Sequence, residues 1–265
     1  MTTSSGSPSD GLQYHVYVPS KGRASTCTTP RHLAASGIDF SIVVEPQDAH
    51  DYRYIFGESS VVVMPENDKG LWYARNECKK HSMSQGHRYH WQIDDDVKYF
   101  RIRRGNKNHK CSAFDALSPV ERETNKYKNI GAAGIKHSLY AWSAKNEIDY
   151  NKQICSVGLF KTDSDIWWRE MTVEDTDYSL QLLNEGLCTI LFNRLIYDPP
   201  TNGSNEGGCS AEGIYGGDTG DSYLPYLRGL QKSWPGVFRI VRKKGKPRLA
   251  PNRVWSGFRQ RPELT

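Results

Sequence analysis

Nowhere in the 265 residues do apolar side chains run on for the roughly 18–20 positions that a membrane helix needs. The first eleven residues, Met1 to Gly11, are rich in Ser, Thr and Gly and lack the apolar core of a secretory leader. Both absences point away from membrane and export, and towards a cytoplasmic protein. No internal repeat is found. The six cysteines, Cys27, Cys78, Cys111, Cys155, Cys188 and Cys209, include no C-x-x-C pair. Neither a disulfide framework nor a zinc site is therefore expected. Acid is missing from one stretch altogether. Arg239 to Arg261 carries nine Lys and Arg residues and no Asp or Glu, while the net charge of the chain is only +5. The rest of the chain is thus mildly acidic and one end is strongly basic, an asymmetry that suits a polyanionic partner.

What is present reads as a globular α/β chain, with 37% hydrophobic and 25% charged residues. Short apolar runs at His15–Val18, Ser41–Val44, Val61–Met64 and His90–Ile93 read as strands. Helical patterns at Pro30–Ala35, Asp48–Phe56 and Gly70–Gln85 lie between them. Strand and helix in alternation predict a parallel sheet. Ile130–Ile135, Ile154–Phe160, Thr189–Phe192 and Leu195–Tyr197 read as further strands and Thr176–Asn184 as a helix. Arg101–Asn129 is polar and is expected to be looped. Thr201–Gly220, rich in Gly, Asn and Ser, reads as a long loop.

Two carboxylate motifs carry the chemistry. Asp94, Asp95 and Asp96 end a buried strand, where open α/β sheets place their ligands. Adjacent carboxylates repel one another unless a cation compensates. A strand end of this kind can share Mg²⁺ or Mn²⁺ with a diphosphate, or can be a plain acidic turn. Glu174 and Asp175 open the helix that follows. Either can accept a proton as a general base, Asp175 first and Glu174 second; Asp175, like Asp177, can instead merely cap the helix. The helix dipole favours their ionised form.

Ala74-Arg75-Asn76, one helix before the Asp-rich strand end, makes the chain resemble nucleotide-sugar glycosyltransferases of the GT-A fold. That resemblance implies that Arg75 helps hold the nucleotide and that Asp94 and Asp96 carry the metal. It implies donor contacts from Pro19, Lys21, Arg23, Glu45, Asp94 and Asp95. The late histidine ligand of many such enzymes has no counterpart, since the last histidine, His137, precedes the base motif. Asp198, Asn202 or Asn205 are the substitutes to hand.

Val18-Pro19-Ser20-Lys21-Gly22-Arg23, Glu45-Pro46, Ala74-Arg75-Asn76 and Gln92-Ile93-Asp94-Asp95-Asp96, in that order, resemble a narrower group. These are the GT-A-type transferases associated with TET/JBP dioxygenases, common in bacteriophages and related to base J glucosyltransferase. The resemblance implies a Rossmann-type, mostly parallel central sheet flanked by helices. It implies transfer of a sugar from a UDP-sugar, UDP-glucose or UDP-GlcNAc, to the hydroxymethyl group of 5-hydroxymethylcytosine in DNA, with inversion, using Mn²⁺ or Mg²⁺, in the host cytoplasm if phage-encoded. Two basic segments fit a DNA partner. One follows the Asp cluster and includes Arg103 and Arg104. The other holds Lys243, Lys244, Lys246, Arg248, Arg253 and Trp255, cations interleaved with an aromatic ring. A tail folded back on the body is the plainer reading of Trp255 and Phe258. The expected organisation is a disordered segment over 1–12, a catalytic domain over 13–238 and a basic extension over 239–265. A transferase for glycan or protein acceptors, or a nucleotidyltransferase or nuclease built on the Asp cluster, are the alternative readings.

Overall fold

A computed structural model of the chain describes residues 11–200, 221–250 and 254–265. The expected N-terminal segment up to residue 10, the Gly-rich stretch 201–220 and Arg253 lie outside the described residues. The innermost strands are β1 (Val16–Pro19) and β4 (Tyr89–Ile93), in which every residue is buried. β2 (Phe40–Val44) and β3 (Val61–Val63) extend the sheet on the other side of β1, all parallel. β7 (Ile130–His137), β9 (Val157–Lys161) and β10 (Cys188–Asp198) complete the order β3-β2-β1-β4-β9-β7-β10. The chain steps outward from β1 to β3 and then returns to lay β4 on the far side of β1. That reversal opens a crevice at the carboxyl ends of β1 and β4, the place where α/β sheets bind ligands.

Two layers of helix cover the sheet. On one face α1 (Thr29–Ala35) and α4 (Ala113–Thr124) bury Leu33, Leu117 and Val120 against Val16, Val18, Trp91 and Ile93. α2 (Ala49–Phe56) packs Tyr52 on Ile42 and Val44. On the other face α3 (Leu71–Ser84) sets Ala74 and Cys78 against Tyr17 and Val43. α6 (Glu174–Asn184) sets Tyr178 and Leu182 against Ala132 and Phe160. The mostly parallel α/β sheet expected from the alternation is therefore present. Among the described residues no helix is long and apolar enough to cross a membrane, and the described cysteines are all free.

Three sequence expectations change. Arg101–Asn129 is not looped: β5 (Tyr99–Arg104) and β6 (Lys107–Cys111) form a hairpin at the sheet edge, followed by α4. Ser112 caps α4 by accepting the N–H of Asp115 at 3.0 Å. Pro119 inside the helix and the polar residues around it interrupt the apolar periodicity of this stretch. β9 starts at Val157 rather than Ile154 and runs antiparallel to both β4 and β7. Thr189–Phe192 and Leu195–Tyr197 are one strand, β10, with an irregularity between Phe192 and Ile196. Its first half pairs with β8 (Ile148–Tyr150) and its second half with β5.

Beyond residue 220, α7 (Leu224–Ser233) packs Leu230 on Leu180 of α6, with Phe238 alongside. Gly229 is pressed so close to the segment before α6 that an added Cβ would lie 1.7 Å from the Met171 carbonyl oxygen. Gly229→Ala must push α7 off α6, and overpacking of this kind costs about 1–3 kcal/mol. We expect a lower thermal midpoint for this variant than for wild type; an unchanged melting curve would show that the contact is not rigid.

Candidate active site

The carboxyl ends of β1, β2, β4 and β7 and the start of α6 enclose a cavity of about 1230 Å³. Pro19, Lys21, Arg23 and Glu45 line it from the β1 and β2 ends, and Asp94, Asp95 and Asp96 from β4. Glu174 and Asp175 line it from α6, so two motifs far apart in sequence face one space. Arg75 lies directly behind them on α3, only 1% exposed. Its Nη2 donates to Asp94 Oδ1 at 3.1 Å and is 3.6 Å from Asp175 Oδ1. Gln92 of β4 locks the same helix turn, its Nε2 donating to the Arg75 carbonyl at 3.0 Å.

Burial opposes a charge on Arg75, but Asp94, Asp175 and Glu174 outweigh it and hold the guanidinium firmly protonated. Burial raises the proton affinity of Asp175 well above the ordinary carboxylate range, helped by Glu174 and Asp94 and opposed by Arg75. Glu174 is raised by burial as well. The helix dipole alone predicts the reverse, so desolvation is the stronger effect at this helix start. Neither carboxylate serves as an N-cap, because Val173 holds that position and no side chain caps α6. Cys155, which the sequence did not single out, lines the cavity beside Asp175. Burial keeps that thiol protonated.

The aspartates of the strand end have separate duties. Asp95 is turned inward, 5% exposed, where it accepts from Arg23 Nη1 at 2.8 Å and from the Ser20 hydroxyl. Its carbonyl also accepts the N–H groups of Thr28 and Thr29 at the start of α1. Asp95 therefore fixes the loop after β1. Asp94 and Asp96 remain towards the cavity, with side chains 31% and 23% exposed. Glu45 is buried and bonded to Gln47 Nε2 and to the Asp68 N–H, and it pairs with Lys21 at 3.3 Å. Asp177 does not cap: fully buried, it accepts from Arg169, Gln181 and Trp234, which ties α6 to α7.

The basic tail divides. Lys246 and Arg248 line the cavity from a hairpin of β11 (Ile240–Lys243) and β12 (Lys246–Leu249). Lys244 and Gly245 turn it with φ of +51° and +77°, the pattern of a tight two-residue hairpin. Lys243 and Lys244 stand exposed at the tip. Trp255 is folded against the cluster of Leu180, Leu230 and Phe238. The last residues wrap back, Thr265 and Glu263 bonding to Lys126 and Lys128 of the body. Arg103 and Arg104 lie on β5, Arg104 exposed and Arg103 donating to the Ala141 carbonyl.

Asp198, a possible late metal ligand, is held by Arg101 Nε at 2.5 Å. Asn202 and Asn205 lie outside the described residues. Among the described residues no three His, Cys, Asp or Glu side chains gather as a metal cage. Asp94 and Asp96 nevertheless suit Mn²⁺ or Mg²⁺, hard cations that commonly take one or two carboxylates and complete their shell with phosphate oxygens and water.

Removing the guanidinium leaves Asp94 and Asp175 facing each other with no cation between them, and breaking a buried pair costs about 3–5 kcal/mol. Arg75→Ala should therefore lower the unfolding midpoint in denaturant markedly. Arg75→Lys should recover only part of the loss: both carboxylates meet one nitrogen, Nη2, and an ammonium in its place gives up the 3.5 Å contact of Nη1 with Gln92 Oε1. Full stability in either variant would remove Arg75 as the link.

The profile of the TET-Associated Glycosyltransferase family matches residues 14–208, which hold every strand from β1 to β10 and both carboxylate motifs. No curated protein matches the chain. Among solved structures it is similar to a protein named as a nucleotide-diphospho-sugar transferase from Desulfovibrio desulfuricans G20. The identity is 12%, over 73% of this chain and 80% of that one, with a TM-score of 0.39. It is also similar to GalNAc-T7 determined with UDP, GalNAc and Mn²⁺, at 9% identity and a TM-score of 0.41. That match covers 73% of this chain and 46% of the GalNAc-T7 chain. Similarities of this size carry no residue correspondence. The family match, which spans most of the chain and both motifs, does decide the class: this chain belongs to the TET-associated glycosyltransferases.

Proposed function

We propose that the chain transfers the sugar of a UDP-sugar, UDP-glucose or UDP-GlcNAc, to the hydroxymethyl group of 5-hydroxymethylcytosine in DNA, with inversion and with Mn²⁺ or Mg²⁺. The observation that carries the reading is the meeting of Asp94 and Asp175 on the buried guanidinium of Arg75, inside a cavity large enough for a nucleotide-sugar. One motif suits the leaving diphosphate and the other the incoming hydroxyl. Family membership sets aside the nucleotidyltransferase and nuclease readings.

The donor lies over the ends of β1 and β2, where Pro19, Lys21, Arg23 and Glu45 line the cavity. Asp94 and Asp96 would hold the divalent ion, which offsets charge on the departing UDP. Asp175 takes the proton of the hydroxymethyl group. The hydroxymethyl oxygen forms its bond to the anomeric carbon as the bond from that carbon to the diphosphate oxygen breaks, and the electron pair leaves with UDP. Attack opposite the leaving group inverts the anomeric centre. A buried carboxylate of raised proton affinity is a stronger base than an exposed one, which is what removal of an alcohol proton needs. Lys246 and Arg248 on the cavity wall, with Lys243 and Lys244 at the hairpin tip, supply positive charge for DNA phosphates. A target base in a duplex must leave the stack to enter such a cavity, at a cost of a few kcal/mol.

The test is incubation with UDP-glucose or UDP-GlcNAc and Mn²⁺ on DNA with and without 5-hydroxymethylcytosine, followed by mass analysis of the nucleosides. A sugar-sized mass gain on the modified nucleoside alone is expected. Gain on a glycan or peptide acceptor instead, with none on DNA, would transfer the reading to that substrate class. Chelation with EDTA should abolish turnover and added Mn²⁺ should restore it. Asp175→Asn should lower kcat by about 10²–10⁴-fold. Because Asp175 must be ionised to accept the proton, wild-type kcat should fall as pH drops, with a midpoint above the ordinary carboxylate range. A flat profile there would remove Asp175 as the base.

A further inference from the structure

Large apolar side chains normally fold inward, each aromatic ring burying some 150–250 Å². Just past the end of β7 the chain does the opposite. α5 (Ser138–Ala141) and the residue after it leave Leu139, Tyr140 and Trp142 at 68%, 62% and 77% exposure. Contiguous exposure of this kind marks an interaction surface. The location is specific, since Leu139 and Tyr140 border the same cavity as Asp94 and Asp175.

The surface is also held in place. The His137 ring accepts the Leu139 N–H at 3.1 Å and packs between Tyr140 and Tyr197, at centroid distances of 5.4 and 5.3 Å. Trp142 Nε1 donates to the Leu139 carbonyl at 2.9 Å, which settles its indole against α5. Arg103 donates to the Ala141 carbonyl, so α5 is tied to β5. The β5–β6 hairpin therefore stands beside the rings as a fixed neighbour. From Lys98 to Lys110 the chain has six Lys and Arg residues and no acid. Arg104, Lys107 and Lys110 of this stretch are exposed. Lys110 lies 3.4 Å from the centre of the Tyr99 ring, itself 40% exposed.

Flat, exposed rings beside a strand hairpin rich in cations match one ligand chemistry closely: a polyanion whose units have aromatic faces. We propose that Tyr140 and Trp142 form a stacking step at the mouth of the catalytic cavity for bases of the acceptor DNA strand next to the extruded cytosine. Lys110 of the β5–β6 hairpin, which by the strand register lies on the same sheet face as Arg103, holds a phosphate of that strand. The proposal rests on the reading of DNA as the acceptor and adds the element that recognises it. A base stacked on an aromatic ring gives binding without reading its sequence, so the step serves any flanking base.

Steady-state kinetics on DNA containing 5-hydroxymethylcytosine test it, with the donor and acceptor KM measured separately. Tyr140→Ala with Trp142→Ala should raise the KM for DNA about tenfold or more, the loss expected for one or two stacked bases. The KM for the UDP-sugar should stay at the wild-type value. Trp142→Phe, which keeps a ring, should stay near wild type, and thermal melting should confirm that every variant is folded. If wild type modifies the DNA and the double variant does so with an unchanged KM, the stacking step is overturned while the acceptor reading stands. If wild type modifies no such DNA under any donor, both are overturned.

Discussion

A single buried cation holds the reactive centre together. Arg75 lies buried behind the cavity wall and lets two carboxylates share one water-poor space. Asp94 ends a strand and Asp175 opens a helix, and like charges placed there would otherwise drive the two elements apart. The guanidinium pays its own desolvation only because both partners, with Glu174 nearby, stay close enough to keep it charged. The same arrangement sets the chemistry. Arg75 pulls the proton affinity of Asp175 down, burial and its acidic neighbours push it up, and burial wins.

The rest of the fold serves that meeting. β4 lies beside β1 because the chain returns past its own starting point, which sets Asp94 at the mouth of the crevice. Antiparallel β9 separates β4 from β7, so the carboxyl end of β4 and those of the paired strands β7 and β10 flank a hollow. α6 starts in that hollow. It is anchored from behind by Asp177, which binds Arg169 and Trp234 and so fastens the helix to α7 and the tail. The middle aspartate of the triplet, Asp95, plays the matching part on the other side and secures the loop after β1 through Arg23 and Ser20.

Strong, regular patterns were legible without coordinates. The first four strands and the helices between them were readable within about two residues, because short apolar runs bounded by Pro, Gly or clustered Asp have few other solutions. The Asp triplet and the Glu-Asp helix start stood out because carboxylates in such density are costly without partners, and both line the cavity. The region from Arg101 to Asn129 was not, since its hairpin is an exposed edge with charged residues on both strands and its helix carries Pro119. The aromatic surface at Tyr140 and Trp142 also gave no signal, because nothing in the order of residues says which rings face water.

The sequence by itself determined the class of the sheet, the positions of the two carboxylate motifs and the division of charge between body and tail. Those follow from local pattern and composition, which the fold does not alter. Tertiary structure alone decided that Asp94 and Asp175 converge on Arg75 and that Asp95 and Glu45 are bound internally. It decided too that the tail wraps back on the body, with Lys246 and Arg248 on the cavity wall and Trp255 packed against α7. Each of these depends on partners distant in the chain and on which groups lose their water, and no local pattern records either.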